Sequence, residues 1–299
     1  MVGSCNMDLV MQVAQLPAPG HTVLGGRFQH ASGGKGANQA VAARRAGGNV
    51  VLHAALGRDT YGDELLGHYK TDGIDCSNIY RDEHHSTGTA VILVDGSGEN
   101  LIAVASGANL SVKPPTSAKN VGVFLLQGEI PPETIFRTIN LALDAHIPVI
   151  LNNAPVVDIP ANLRAAVDVL IVNEHEAEAM TGIDVRNRES AERAISCLRG
   201  LGYPCVLVTL GPGGVLCSHR DEILFQPAFL VNPVDTTAAG DTFCGAFAAR
   251  YVSGDPLDAA ITFASAAAAC STLKVGAQPS IPDNAQTNEF LASKPGFRI

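Results

Sequence analysis

Tryptophan is absent from this chain, and only 5% of its residues are aromatic, so its 46% apolar content is mainly aliphatic. In 299 residues that still suffices for a sizeable core. Long apolar runs are missing too. Stretches such as Val121–Leu126 fall far short of the roughly 20 residues that span a bilayer. No basic patch followed by an apolar segment opens the sequence, so neither a signal peptide nor membrane association is expected. The seven cysteines form no C-x-x-C pair. That pattern excludes a disulfide framework and a zinc ribbon, and reduced thiols in the cytoplasm are the expected state. Positive charge is scarce, with 20 Lys and Arg against 29 Asp and Glu, for a net charge of −9. A nucleic-acid partner is therefore not expected. H-E-x-x-H and G-x-S-x-G are both absent, which leaves zinc proteolysis and serine hydrolysis without support.

What is present alternates. Short β-rich runs at Val50–Leu56, Val121–Leu126, Pro148–Leu151, Val169–Val172 and Val206–Leu210 are separated by helical patterns. Those patterns lie near Ala37–Ala46, Tyr61–Thr71, Pro132–Ala145, Glu174–Thr181 and Ser190–Leu201. Strands that are apolar throughout imply a mainly parallel sheet covered on both faces, and hence an α/β fold. Two stretches break the rhythm. Val10–Ala31 has no helical period, and Ala90–Val94 and Leu101–Ala105 flank Asp95-Gly96-Ser97-Gly98 as a hairpin would. Together, residues of about 9–32 and 86–107 predict a small β-sheet flap on a single domain spanning 1–299. Such a flap covers a site, pairs with a second copy, or does both. The final third reads as helical, over Thr242–Tyr251 and the alanine-rich Asp258–Thr272.

Four motifs carry candidate chemistry. Gly33-Gly34-Lys35-Gly36-Ala37-Asn38-Gln39 precedes a helix and combines close backbone approach with unpaired helix-terminal amides. It lacks the spacing of a P-loop or a dinucleotide fingerprint, and a flexible loop with a solvated lysine is the plain alternative. Asp235-Thr236-Thr237-Ala238-Ala239-Gly240-Asp241-Thr242 also opens a helix. Its small residues allow successive amides to meet at one anion site, and Asp241 suits a general base or, more simply, a helix cap. Asn173-Glu174-His175-Glu176 follows a strand and could hold water on Mg²⁺ or merely form an acidic first helical turn. Thr209-Leu210-Gly211-Pro212-Gly213-Gly214 is either a nucleotide wall or a tight turn. Asn6, Asp8 and Glu129 add polar groups near strand ends.

These motifs, with Gly3-Ser4, Asn6, Asp8, Glu129 and Gly276-Ala277-Gln278-Pro279-Ser280, occur in an order that closely resembles the ribokinase family of carbohydrate kinases. The resemblance covers nearly the whole chain. It implies a three-layer α/β sandwich with a mainly parallel central sheet and a small β-sheet lid. It also implies ATP-dependent phosphorylation of a pentose, D-ribose at O5 before 2-deoxyribose, fructose or a nucleoside. A catalytically silent sugar- or nucleotide-binding member is the rival from another class.

On that resemblance, Asn6, Asp8, Gly34, Lys35, Asn38, Glu129 and Asp241 hold the sugar, and Asp241 takes the proton from the attacking hydroxyl. Amides of Ala238, Ala239, Gly240 and Asp241 form the anion hole. Asn173, Thr209, Gly211, Gly213, Gly214, Gly240 and Ser265 contact ATP, and Glu176 acts on Mg²⁺ through water. Asp235, Thr237, Ser271, Lys274, Gly276 and Ser280 surround an activating K⁺, mostly through carbonyls. The lid also implies a homodimer. The family pattern departs at two places. Only Met1 and Val2 precede Gly3, so the first central strand is expected to be nearly absent, and Lys113-Pro114-Pro115 leaves little room for a helix before the Val121 strand.

Overall fold

Strands with apolar residues on both faces must be covered on both, and four such strands make the centre of this protein. A computed structural model describes residues 1–220 and 222–294. In chain order, β1 (Asn6–Gln12) pairs antiparallel with β2 (Arg27–Gly33), which leads into helix α1 (Lys35–Arg45). Next come β3 (Ala54–Gly57), α2 (Thr60–Thr71), β4 (Ile79–Asp82) and the hairpin of β5 (Gly88–Val94) and β6 (Asn100–Ala105). The body continues through β7 (Phe124–Gln127), α3 (Pro132–Ala145), β8 (Val149–Asn152), α4 (Ala161–Arg164) and β9 (Val169–Asn173). After these come α5 (Glu174–Thr181), α6 (Arg188–Gly200), β10 (Cys205–Thr209), β11 (Val215–His219) and β12 (Glu222–Gln226). Helices α7 (Ala239–Val252), α8 (Leu257–Ser271) and α9 (Asn284–Ala292) complete the described chain.

The main sheet runs β12-β11-β10-β9-β8-β7, parallel from β7 to β10 and antiparallel beyond. Its two-residue period separates two cores. Leu126, Leu151, Leu170 and Val206 face one way, onto Ile135 and Ile139 of α3 and Ile195 and Leu198 of α6. Leu125, Ile150, Ile171 and Leu207 face the other way, onto Phe243 and Phe247 of α7 and the alanines of α8. Each such side chain contributes about 1.5–3 kcal/mol by leaving water. Ahead of β1, Val2 makes single bridges to His53 and Leu126, where it joins the main sheet to the β3–β4 pair. Helix α7 starts at Ala239, three residues before the alanine–phenylalanine pattern suggests, because the small residues ahead of Asp241 already turn helically. A 3₁₀ turn at Gly107–Ser111 occupies the space before Pro114.

A second sheet, ordered β2-β1-β5-β6, rises from the body. Its outer edge strand, β6, is exposed along its whole length. Asp59 secures its root. This side chain caps α2 by accepting the Gly62 N–H at 2.8 Å, and it also accepts the Thr87 N–H (2.7 Å) and hydroxyl (2.6 Å) just before β5. Asp59→Ala removes a cap and two further bonds, so stability should fall by about 2 kcal/mol. Urea titration should show a lower midpoint at unchanged slope; an unaltered midpoint would show that the anchor is redundant.

Candidate active site

In parallel sheets the carboxyl ends of strands collect polar groups, and here β7, β8, β9 and β10 end in Gln127, Asn152, Asn173 and Thr209. The N-terminus of α7 faces this row. Asp241, in its first turn, is buried, and both carboxylate oxygens are held: Oδ2 accepts from Asn38 Nδ2 and Oδ1 from Gln39 Nε2, each at 2.9 Å. Ala238 adopts the left-handed conformation (φ 58°) and Ala239 begins the helix, a handedness change that turns successive amides outward. The Ala239 N–H is taken by the Thr236 carbonyl at 3.2 Å, so it is not available to an anion as the sequence reading expects. Gly240 and Asp241 N–H have no backbone acceptor among the described residues. The amides left free of backbone acceptors are therefore fewer than the whole Ala238–Asp241 run.

The glycine-rich turn lies opposite. Gly34 caps α1 at φ 86°, and a Cβ there would sit 2.7 Å from the Asn6 nitrogen. Glu129 Oε2 accepts the Lys35 N–H (3.0 Å) and the Ser4 hydroxyl, which places a carboxylate at the positive end of α1. The Asp241 carboxylate raises the Lys35 ammonium above its usual pKa. Burial works against that rise, while Glu129 and Glu176 add to it. Burial, followed by the Glu129 and Asp241 charges, pushes Asp8 up to about 7. Asn6 is buried, and its Oδ1 accepts from Asn109 Nδ2 at 2.7 Å, so its own amide N–H₂ is the group left to present.

Two adjoining cavities meet at Gly240. The smaller, about 210 Å³, is lined by Lys35, Asn173, Glu176, Thr209 and Asp241 among others. The larger, about 440 Å³, runs over Thr209, Gly211, Gly214, Phe229 and Phe243 to Ser265, whose hydroxyl oxygen is buried without a partner among the described residues. Gly213 is not among the lining residues of either cavity; its amide closes a turn onto the Leu210 carbonyl at 2.7 Å. The acidic turn after β9 serves as a cap and faces the cavity as well. Asn173 and Glu176 form a reciprocal capping box, with Glu176 Oε2 accepting the Asn173 N–H at 2.7 Å. Burial raises the Glu176 pKa, against the pull of the Asn173 bond and the Lys35 charge.

Comparison with known proteins gives the chain a family. The profile of the pfkB family carbohydrate kinases matches residues 1–284. The chain belongs to that family. As a pfkB carbohydrate kinase, it is 38% identical over 297 residues to the ribokinase of Haemophilus influenzae, covering 97% of each chain. The Thermotoga maritima ribokinase structure superimposes with a TM-score of 0.88 at 36% identity, covering 98% of both chains. That of the Arabidopsis thaliana ribokinase complexed with ribose and ATP gives 0.90 at 31% identity, again over 98% of both. The fold is the three-layer, lidded α/β sandwich of these enzymes.

In this pfkB kinase the segments 235–237 and 271–280 also meet. Asp235 accepts the Thr237 N–H through Oδ1 and the Gly276 N–H through Oδ2, both at 2.8 Å. Burial tends to raise the Asp235 pKa, but the Thr237 side chain, followed by these two amides, outweighs it and the net shift is downward. The Ser271 carbonyl receives the Lys274 N–H at 3.4 Å, and the Ser280 hydroxyl donates to Ala277. The reading from sequence assigns no role to Gln39, Asn109, Gln127, Asn152 or Gln278, all buried and hydrogen-bonded at the site. Gln39 and Gln278 lie inside motifs already singled out. Gln127 and Asn152 announce themselves only once the strand ends are known.

Proposed function

We propose that this kinase transfers the γ-phosphoryl group of ATP to O5 of D-ribose, yielding ribose 5-phosphate and ADP. The observation that carries this reading is the buried Asp241 carboxylate at the helix terminus, between the glycine-rich turn on one side and, on the other, the smaller cavity, which joins the larger at Gly240. The sugar lies against Asn6, Asp8, Gly34, Lys35, Asn38 and Glu129, beneath the β2-β1-β5-β6 lid. Asp241 accepts the O5 proton as oxygen attacks the γ-phosphorus. The Gly240 and Asp241 amides and the Lys35 ammonium stabilise charge on the transferring group, in a reaction governed by positioning and electrostatics. ATP lies along Thr209, Gly211 and Gly214, with the unpartnered Ser265 hydroxyl available to the base.

Mg²⁺ fits beside Glu176, which has one carboxylate oxygen outside its capping box, and would neutralise phosphate charge there. K⁺ fits the oxygen donors of the 235–237 and 271–280 segments and would firm the anion hole from behind. The apolar outer lid, with Phe28, Leu101, Ile102 and Val104 more than half exposed, supports a homodimer formed through the lid. Seven free cysteines support a cytoplasmic setting. An acceptor panel of ribose, 2-deoxyribose, fructose and a nucleoside tests the substrate. The expected result is the highest kcat/KM for ribose, and preference for another acceptor would reassign the pocket.

Asp8 makes the reaction pH-dependent. Its carboxylate must be ionised to accept bonds from two sugar hydroxyls, yet in the free enzyme it titrates at about 7. With the pKa raised, the competent form is lost as pH falls through 7. The kcat/KM for sugar should therefore drop about tenfold per pH unit below that point. Asp8→Asn should remove this limb, and a flat profile from pH 5.5 to 7.5 in the parent enzyme would contradict the assignment.

A further inference from the structure

Amide side chains in a core need a reason, because an apolar side chain of the same size fills the space without demanding partners. Five surround Asp241, and their hydrogen bonds have a direction. The Ile171 carbonyl accepts from Asn152 Nδ2 at 3.2 Å, which turns Asn152 Oδ1 toward Gln39. Gln127 Nε2 donates to Gln39 Oε1 at 2.7 Å. Gln39 is thus fixed from two sides, and its amide group can only donate: one N–H to Asn152 Oδ1 (3.0 Å), the other to Asp241 Oδ1 (2.9 Å). On the far side, Gln278 Nε2 donates to Asn38 Oδ1 at 3.1 Å, which aims Asn38 Nδ2 at Asp241 Oδ2. Each carboxylate oxygen thereby receives one donor of predetermined orientation and keeps a lone pair for a substrate hydroxyl. Gln127 leaves its own Oε1 buried without a partner among the described residues, a sacrifice of stability in favour of orientation.

We infer that Gln39 is a positioning residue for phosphoryl transfer, holding the Asp241 carboxylate in the attacking geometry, with Gln127 and Asn152 setting the direction of its amide. Gln39 touches no substrate; it acts through Asp241, and the inference rests on Asp241 being the base. The arrangement is delivered by one helix turn, since Asn38 and Gln39 are adjacent in α1 and reach the two oxygens of one carboxylate on α7.

The test compares Gln39→Leu, Asp241→Asn and the double variant by steady-state kinetics with ribose and ATP, alongside thermal melting. Gln39→Leu is expected to lower kcat about 30-fold, with both KM values within about threefold of the parent. In the Asp241→Asn background it is expected to cost nothing more, because groups acting as a unit are not additive. A kcat near the parent value, or the same fractional loss in both backgrounds, overturns the inference. Gln127→Met, one bond further from the base, keeps the test open should Gln39→Leu fail to fold: kcat falls at unchanged KM, and an unchanged kcat overturns the relay. Full activity in Asp241→Asn sinks the base assignment and this inference together. Loss in Asp241→Asn with full activity in Gln39→Leu overturns the inference alone.

Discussion

Asp241→Asn is expected to lower kcat about 10³-fold, the middle of the range that a general base supplies, while the protein stays folded. The substitution keeps the shape of the side chain but replaces one acceptor oxygen with a donor facing either Asn38 or Gln39, both of which donate. One buried hydrogen bond is lost, a destabilisation of about 1–2 kcal/mol, which lowers Tm by about 3 °C. Asp241 is not a helix cap, since that position is Ala238 and no side chain caps the helix; the separation between a small thermal effect and a large kinetic one distinguishes a base from a buried structural acceptor. ADP release and differential scanning calorimetry on the same preparation measure both. A variant turning over within tenfold of the parent would leave Asp241 as a structural acceptor for Asn38 and Gln39 rather than a base.

Gly245→Val is expected to abolish activity by a different route. Helices α1 and α7 cross backbone to backbone at Gly245, where a Cβ would overlap the Gln39 carbonyl oxygen and lie 2.6 Å from the Ala42 Cβ. The conflict involves main chain on one side, so rotamer changes cannot relieve it, and the helices must part. Overpacking of this kind costs about 3 kcal/mol, or a Tm lower by about 6 °C. Parting also withdraws Asn38 and Gln39 from Asp241, since these residues ride on α1 while their partner rides on α7. Circular dichroism melting and turnover should therefore fall together, unlike in Asp241→Asn. A variant with parental Tm and parental kcat would show that the crossing tolerates a branched side chain.

Much of this architecture is legible in the linear sequence because its signals are local. The α3 and α5 limits follow from a helical period bounded by proline or glycine, and the central strands stand out as apolar runs between such helices. The β5–β6 hairpin is announced by Asp95-Gly96-Ser97-Gly98, whose turn closes through a Gly98 N–H to Asp95 carbonyl bond and a positive φ at Gly98. Strands β4 and β12 escape this reading because they are short and half-exposed, so neither an apolar run nor a clean alternation marks them. Strand β11 follows a glycine turn whose residues also suit a nucleotide wall. At the site, single-residue chemistry points to Asp241, Lys35 and Glu176. The amides of Gln127, Asn152 and Asn109 cannot be found that way, because an isolated Gln or Asn carries no signal until tertiary structure places it against another amide or a backbone group. The spent amide of Ala239 is equally invisible, being a matter of which carbonyl lies 3.2 Å away.

The most direct trial of the account is phosphorus NMR of the purified chain incubated with ATP, Mg²⁺, K⁺ and ribose. The expected spectrum gains one phosphomonoester resonance, at ribose O5, for each ADP formed, and omission of ribose stops both. ADP appearing without a phosphorylated sugar, or ribose leaving the ATP signals untouched, would contradict transfer from ATP to the sugar through Asp241.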